Sequence, residues 1–138
     1  MAKFEDFGLD KRMIRAIGDI GYAEPTPIQE KCINVISKGS DCVAQSSTGS
    51  GKTAAFGLPI LQKLNRGGGL QFVVLTPTRE LCLQVKDALV LFSRYLGLGI
   101  AAVYGGAPMG RQIEALKVCE VMVGTPGRVL DHLQKGTL

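Results

Sequence analysis

The 138 residues include sixteen Lys and Arg against twelve Asp and Glu, a formal net charge of +4, with 46% hydrophobic and 20% charged residues. This balance supports one buried core and excludes a disordered chain. No apolar run nears the ~18 residues that a membrane-spanning helix needs, so no membrane partner is expected.

In chain order, Leu9, Met13, Ala16, Ile17 and Ile20 fall on one face of a predicted helix that Gly21 ends. "TPIQEKCINVISKG" opens a second helix, with Thr26 as N-cap, Pro27 at the first helical position and Gln29 three residues after the cap. This is a capping box with proline in its preferred place. "DCVAQS" reads as a short strand, followed by a glycine loop and a helix from about Lys52 to Leu64. "LQFVVLT" is an evenly apolar strand predicted to be covered on both faces. An amphipathic helix through Leu81, Val85, Ala88, Leu89 and Phe92 follows. The strand "GIAAVY", the turn "GGAP", the helix "MGRQIEALK", the strand "VCEVMVG" and the helix opened by "TPGRVLDHLQKG" complete the chain. Strands alternating with helices predict a parallel α/β sheet after a two-helix lead-in. The expected division is a helical lead-in over residues 1–40 and the α/β portion over 41–138.

"SSTGSGKT", Ser46 to Thr53, lies between a predicted strand and a predicted helix, the context of a phosphate-binding P-loop. Gly49 and Gly51 let the backbone curl so that its N–H groups point inward, and the helix that follows presents its positive end. Lys52 supplies a cation for β and γ phosphates, and the Thr53 hydroxyl is placed to coordinate Mg²⁺. Ser46 stands where the template has glycine.

"TPTRE" (Thr76–Glu80) and "TPGR" (Thr125–Arg128) each put hydroxyls, free N–H groups and one Arg at a helix start after a strand. Each alone is compatible with plain capping. Two on one sheet edge beside a P-loop favour a phosphate backbone as ligand. The dispersed cations permit a polyanion partner without requiring it. Gln29 is already accounted for by its capping box, and Phe4 and Phe7 read as apolar ties to the core. His132, the single histidine, reads as a surface or partly buried structural residue. Cys32, Cys42, Cys82 and Cys119 have no metal-pair spacing and read as small core residues of a reducing, intracellular compartment, most simply the cytoplasm. The six Asp all lie away from the ends of apolar strands, and Glu120 lies inside one, so the carboxylate that a P-loop hydrolase uses to hold its metal has no candidate.

Taken together, the motifs resemble the N-terminal part of a DEAD-box RNA helicase. "GYAEPTPIQ" (Gly21–Gln29) is similar to that family's Q motif, with Phe4 at the spacing of its upstream aromatic. "SSTGSGKT" resembles motif I, "PTREL" motif Ia, Gly105-Gly106 the glycine doublet and "TPGR" motif Ib. The resemblance implies a RecA-like P-loop NTPase domain, incomplete at its C-terminus, in an enzyme that is an ATP-dependent RNA helicase. Phe4 and Gln29 would stack on and recognise adenine. Ser47, Thr48, Gly49, Ser50, Gly51, Lys52 and Thr53 would hold ATP, with Lys52 and Thr53 in the catalytic roles and Thr53 toward Mg²⁺. Pro77, Thr78, Arg79, Gly105, Gly106, Thr125, Pro126, Gly127 and Arg128 would hold the RNA backbone, tolerant of sequence and sensitive to salt.

The family's D-E-A-D and S-A-T motifs and its second RecA-like domain are not in the sequence. The chain by itself is therefore expected to bind and not hydrolyse, and to expose strand edges that favour self-association. A nucleotide- or RNA-binding module without catalysis, or another P-loop NTPase, are the alternatives.

Overall fold

The computed structural model describes residues 2–138. They form two compact units, residues 2–63 with 91–96 and residues 64–90 with 97–138.

The first unit is helical. After a 3-10 turn over Phe4–Phe7 come α1 (Lys11–Asp19), α2 (Pro27–Ser37) and α3 (Lys52–Leu61). Asp10 caps α1 by accepting the Arg12 N–H at 2.8 Å, which satisfies one of the free donors of the first turn. The predicted capping box of α2 is formed: Thr26 Oγ1 accepts the Gln29 N–H and Gln29 Oε1 accepts the Thr26 N–H at 2.9 Å. The apolar faces bury Met13, Ala16, Ile17, Ile33, Leu58 and Leu61, and α2 packs on α3. Each of these side chains larger than alanine contributes about 1.5–3 kcal/mol on leaving water.

The predicted strand over Asp41–Ser46 is not formed. Residues 41–47 have no ladder, and Val43 is fully exposed. A strand exists only with a hydrogen-bonding neighbour, and none of the described strands pairs with this segment. In consequence Cys42 is exposed, contrary to the expectation of four core cysteines, whereas Cys32, Cys82 and Cys119 are buried.

The second unit is the α/β portion. It holds β1 (Phe72–Leu75), most of α4 (Arg79–Phe92), β2 (Ile100–Val103), α5 (Met109–Leu116), β3 (Val121–Gly124) and α6 (Pro126–Lys135). The three strands are parallel in the order β1-β3-β2, with Val121 aligned to both Phe72 and Ile100. Central β3 is buried throughout, and Ala101, Val103, Leu116, Cys119, Met122 and Val129 make the core around it. Gly124 must be glycine, because any β-carbon there would run into the Val129 side chain.

Two expectations about the strands are corrected. β1 is an edge strand, with Val73 and Leu75 exposed, because β3 is its only neighbour among the described residues. Glu120 precedes β3 and is buried. Its carboxylate accepts the N–H groups of Gly67 and Gly99 at 2.7 Å each, and these bonds hold its pKa below the ordinary value. It closes two loops and is structural.

Candidate functional site

In the first unit, the segment from Ser46 to Thr53 is a phosphate loop feeding a helix. Gly49 and Gly51 adopt φ of 80° and 86°, the left-handed region that glycine occupies without strain. The Ser50 N–H closes a turn on the Ser47 carbonyl at 3.3 Å. Lys52 begins α3, and its Nζ donates to the Ser46 carbonyl at 2.8 Å, so the ammonium spans the loop. Ser46 thus contributes its backbone carbonyl to the loop. Ser47 and Thr48 are exposed, and Thr53 is half-buried one residue into the helix. The Ser50 hydroxyl is buried with no hydrogen-bond partner.

These features fit an anion: left-handed glycines, a helix N-terminus, a cation and an unsatisfied hydroxyl converge on one loop. For a metal the donor set is thin. Thr53 supplies one hydroxyl, and no group of three or more His, Cys, Asp or Glu is arranged to hold an ion among the described residues.

Gln29 couples this loop to α2. Its amide is 2% exposed, with Oε1 on the Thr26 N–H and Nε2 donating to the Gly51 carbonyl at 3.2 Å. A glutamine amide has two donors and two lone pairs, so one of each remains for a ligand. A cavity of about 390 Å³ adjoins it, lined among others by Tyr22, Glu24, Thr26, Gln29, Gly49 and Gly51. That volume is within the range of small-molecule sites.

Phe4 is not at this cavity. It is 2% exposed, with its ring stacked on Tyr22 at 6.1 Å and edge-on to Phe7 at 6.3 Å. The aromatic ring that lines the cavity is that of Tyr22, against which Phe4 packs. Tyr22 lies inside "GYAEPTPIQ", and its aromatic character was the signal available in the sequence.

In the second unit, three loops follow the C-terminal ends of β1, β2 and β3, the edge where parallel sheets bind ligands. After β1, Thr76 is buried and its N–H donates to the Gly124 carbonyl at 2.9 Å, which ties this loop to the one after β3. Pro77 is exposed, and the Thr78 hydroxyl caps α4 by accepting the Leu81 N–H at 3.2 Å. Arg79 is exposed and lies over the Tyr104 ring at 5.0 Å, a cation–π contact that orients the guanidinium. After β2, Gly105 and Gly106 are exposed, and Gly106 has φ of 84°. After β3, the Thr125 N–H donates to the Val103 carbonyl at 2.9 Å and the Thr125 side chain makes no capping bond. Pro126 and Gly127 are exposed.

Arg128, expected among the phosphate ligands, lies mostly inward. Its side chain is only 15% exposed. Nη1 donates to the Ala107 carbonyl at 2.9 Å and to Gln112 Oε1 at 3.2 Å, and Nε lies 3.6 Å from an Asp131 carboxylate oxygen. The guanidinium holds the glycine turn and is turned away from solvent. His132 is structural as expected, but fully buried: Nε2 lies 2.9 Å from Gln112 Oε1 and Nδ1 2.7 Å from the Thr137 hydroxyl. Burial, and then the Arg128 charge, hold its pKa below the ordinary value. Sequence reasoning missed Gln112 altogether, since a lone glutamine on a short helix carries no signal.

A phosphate loop braced by a buried glutamine, and a parallel sheet whose three strand ends carry anion-ready loops, define a P-loop domain of the RecA-like type. The chain belongs to the DEAD/DEAH box helicase family, whose model matches residues 26–138. It is 44% identical, over its whole length, to the ATP-dependent RNA helicase CshA of Listeria monocytogenes and 46% identical to the ATP-dependent RNA helicase DeaD of Escherichia coli K12. The chain spans about a quarter of these relatives, 27% and 23% of their lengths. A crystal structure of a DEAD box protein from Methanococcus jannaschii matches 99% of this chain with a TM-score of 0.95 and 42% identity, over 38% of that protein. A hypothetical ATP-dependent RNA helicase from Sulfolobus tokodaii matches 94% with a TM-score of 0.87 and 38% identity, again over 38% of its chain.

Proposed function

We propose that the chain binds ATP through its phosphate loop and an RNA backbone through its three strand-end loops, as part of an ATP-dependent RNA helicase. The observation that carries the ATP reading is the Gln29 bridge. One buried amide fixes both the start of α2 and the Gly51 carbonyl, beside a cavity of about 390 Å³. Adenine presents a donor and an acceptor on neighbouring atoms, and the donor and lone pair left on Gln29 match them. Tyr22 supplies an aromatic wall. The Lys52 ammonium exchanges the Ser46 carbonyl for phosphate oxygens, a stronger charge-assisted bond. Thr53 would hold Mg²⁺ through its hydroxyl, and the ion, when bound, offsets charge on the phosphates.

Thr78, Arg79, Gly105, Gly106, Thr125 and Gly127 are the proposed RNA contacts, with Pro77 and Pro126 shaping their loops. Arg128 acts through the glycine turn. Contacts of this kind engage sugar and phosphate, so binding is sequence-tolerant. β1, β2 and β3 end in Leu75, Val103 and Gly124, none a carboxylate, which supports binding without turnover by this chain alone. A second RecA-like domain completes the catalytic site in the proposed parent enzyme. The exposed edge residues Val73 and Leu75 support self-association of the isolated chain, read as a concentration-dependent melt. The free thiols of all four cysteines support an intracellular setting.

The test is nucleotide-dependent stabilisation. ATP at a hundred times its dissociation constant should add about 2.7 kcal/mol, and Lys52→Ala should remove most of it. No shift at millimolar ATP would overturn the ATP reading.

A further inference from the structure

Both carbonyls that flank the Gly105-Gly106 turn are held by side chains, one buried and one mostly buried. Gln112 Nε2 donates to the Tyr104 carbonyl at 2.9 Å, and Arg128 Nη1 donates to the Ala107 carbonyl at 2.9 Å. The two supports are joined, because Arg128 Nη1 also donates to Gln112 Oε1. Arg128 can only donate, so the amide oxygen of Gln112 must face it. The same oxygen lies 2.9 Å from His132 Nε2, so that nitrogen carries the proton, while the Thr137 hydroxyl lies 2.7 Å from Nδ1 and donates to the His132 carbonyl at 3.2 Å. Gln112 is 5% exposed and His132 fully buried, so the oxygen shared between Arg128 and His132 is shielded from water. In such surroundings each bond made helps to fix one arrangement, and a broken one leaves further charged or polar groups unpaired; Arg128 Nε is already without a hydrogen-bond partner, 3.6 Å from Asp131.

The network reaches every loop assigned to RNA. Arg128 belongs to the loop after β3. The glycine turn is gripped at both ends. Arg79, from the loop after β1, rests on the ring of Tyr104, whose carbonyl Gln112 holds. We propose that Gln112, kept in one orientation by His132, is the positioning residue that locks the three loops into a single phosphate-binding geometry, without itself touching RNA. This rests on the RNA reading above and adds to it the residues that set the site's shape.

The experiment is fluorescence anisotropy of a labelled single-stranded oligouridylate with the full chain, between 50 and 200 mM salt, with circular dichroism on every variant. The logarithm of affinity should fall with the logarithm of salt by about 0.7 for each phosphate contact. Gln112→Met keeps length but loses both polar groups, and should reduce that slope by about 0.7 or more while the chain stays folded. His132→Leu should do the same. His132→Gln retains a donor near the Nε2 position and should keep the wild-type slope. If Gln112→Met does not fold, the two His132 variants decide. Wild-type slope and affinity in folded Gln112→Met or His132→Leu would overturn the proposal, as would equal loss in His132→Leu and His132→Gln, which would make the role one of packing. Absence of salt-dependent binding in the wild type would overturn the RNA reading and this inference together.

Discussion

Gly51→Ala separates two effects at the phosphate loop. Gly51 has φ of 86°, where an alanine is strained by roughly 1–2 kcal/mol. Its new β-carbon would also meet the Gln29 amide nitrogen well inside contact distance. Gln29 is buried and cannot swing away without losing its bond to the Gly51 carbonyl and disturbing its bond to the Thr26 N–H. Two such bonds contribute about 1 kcal/mol each, so the full effect is on the order of 3 kcal/mol. Gly49→Ala is the control: its φ of 80° imposes the same backbone strain, but nothing lies within 4 Å of a β-carbon there. Urea unfolding followed by circular dichroism, at equal m-values, should place Gly51→Ala about 1–2 kcal/mol below Gly49→Ala. Equal losses in the two variants would refute the bridge between α2 and the phosphate loop.

Gly124→Ala should destabilise the chain by about 1–3 kcal/mol through overpacking against Val129, seen as a lowered urea midpoint. Glu120 has its folded pKa lowered from an ordinary 4.5 by the Gly67 and Gly99 N–H groups. Its contribution is therefore full above the unfolded pKa and lost as pH falls through the folded one, and Glu120→Gln should flatten the acid limb of a stability–pH curve. His132, also lowered, favours the unfolded state once that state takes up a proton. Stability should decline as pH falls below about 6.5, and His132→Gln should remove that decline. A thiol reagent at neutral pH should label one cysteine rapidly, Cys42, and all four only after unfolding, because burial shields Cys32, Cys82 and Cys119 and raises their pKa values. Rapid labelling of none would return residues 41–46 to a buried strand.

What was legible in the sequence was local. The capping box of Thr26 and Gln29, the left-handed glycines around Lys52 and the three apolar runs that pair as β1, β2 and β3 are all specified within a few neighbours. What escaped depends on distant partners. Asp41–Ser46 has the apolar character of a strand, but a ladder needs a neighbour, and periodicity cannot supply one. Arg128 looked like a phosphate ligand because its motif starts a helix. Its bonds to Ala107 and Gln112 lie 21 and 16 residues away, and they turn it inward. Phe4 and Tyr22 were both visible as aromatics, but which of them faces the cavity is decided by packing between segments far apart in the chain.

The loop of Ser46 to Thr53 and the Gln29 amide are proposed to form one adenine-nucleotide site. Calorimetric titration of the chain with ATP and with GTP measures this directly. ATP should bind saturably at one site per chain, GTP at least about tenfold more weakly, a difference of about 1.4 kcal/mol, and Lys52→Ala should abolish the ATP signal. Equal affinity for the two nucleotides, or ATP binding that survives Lys52→Ala unchanged, would contradict it.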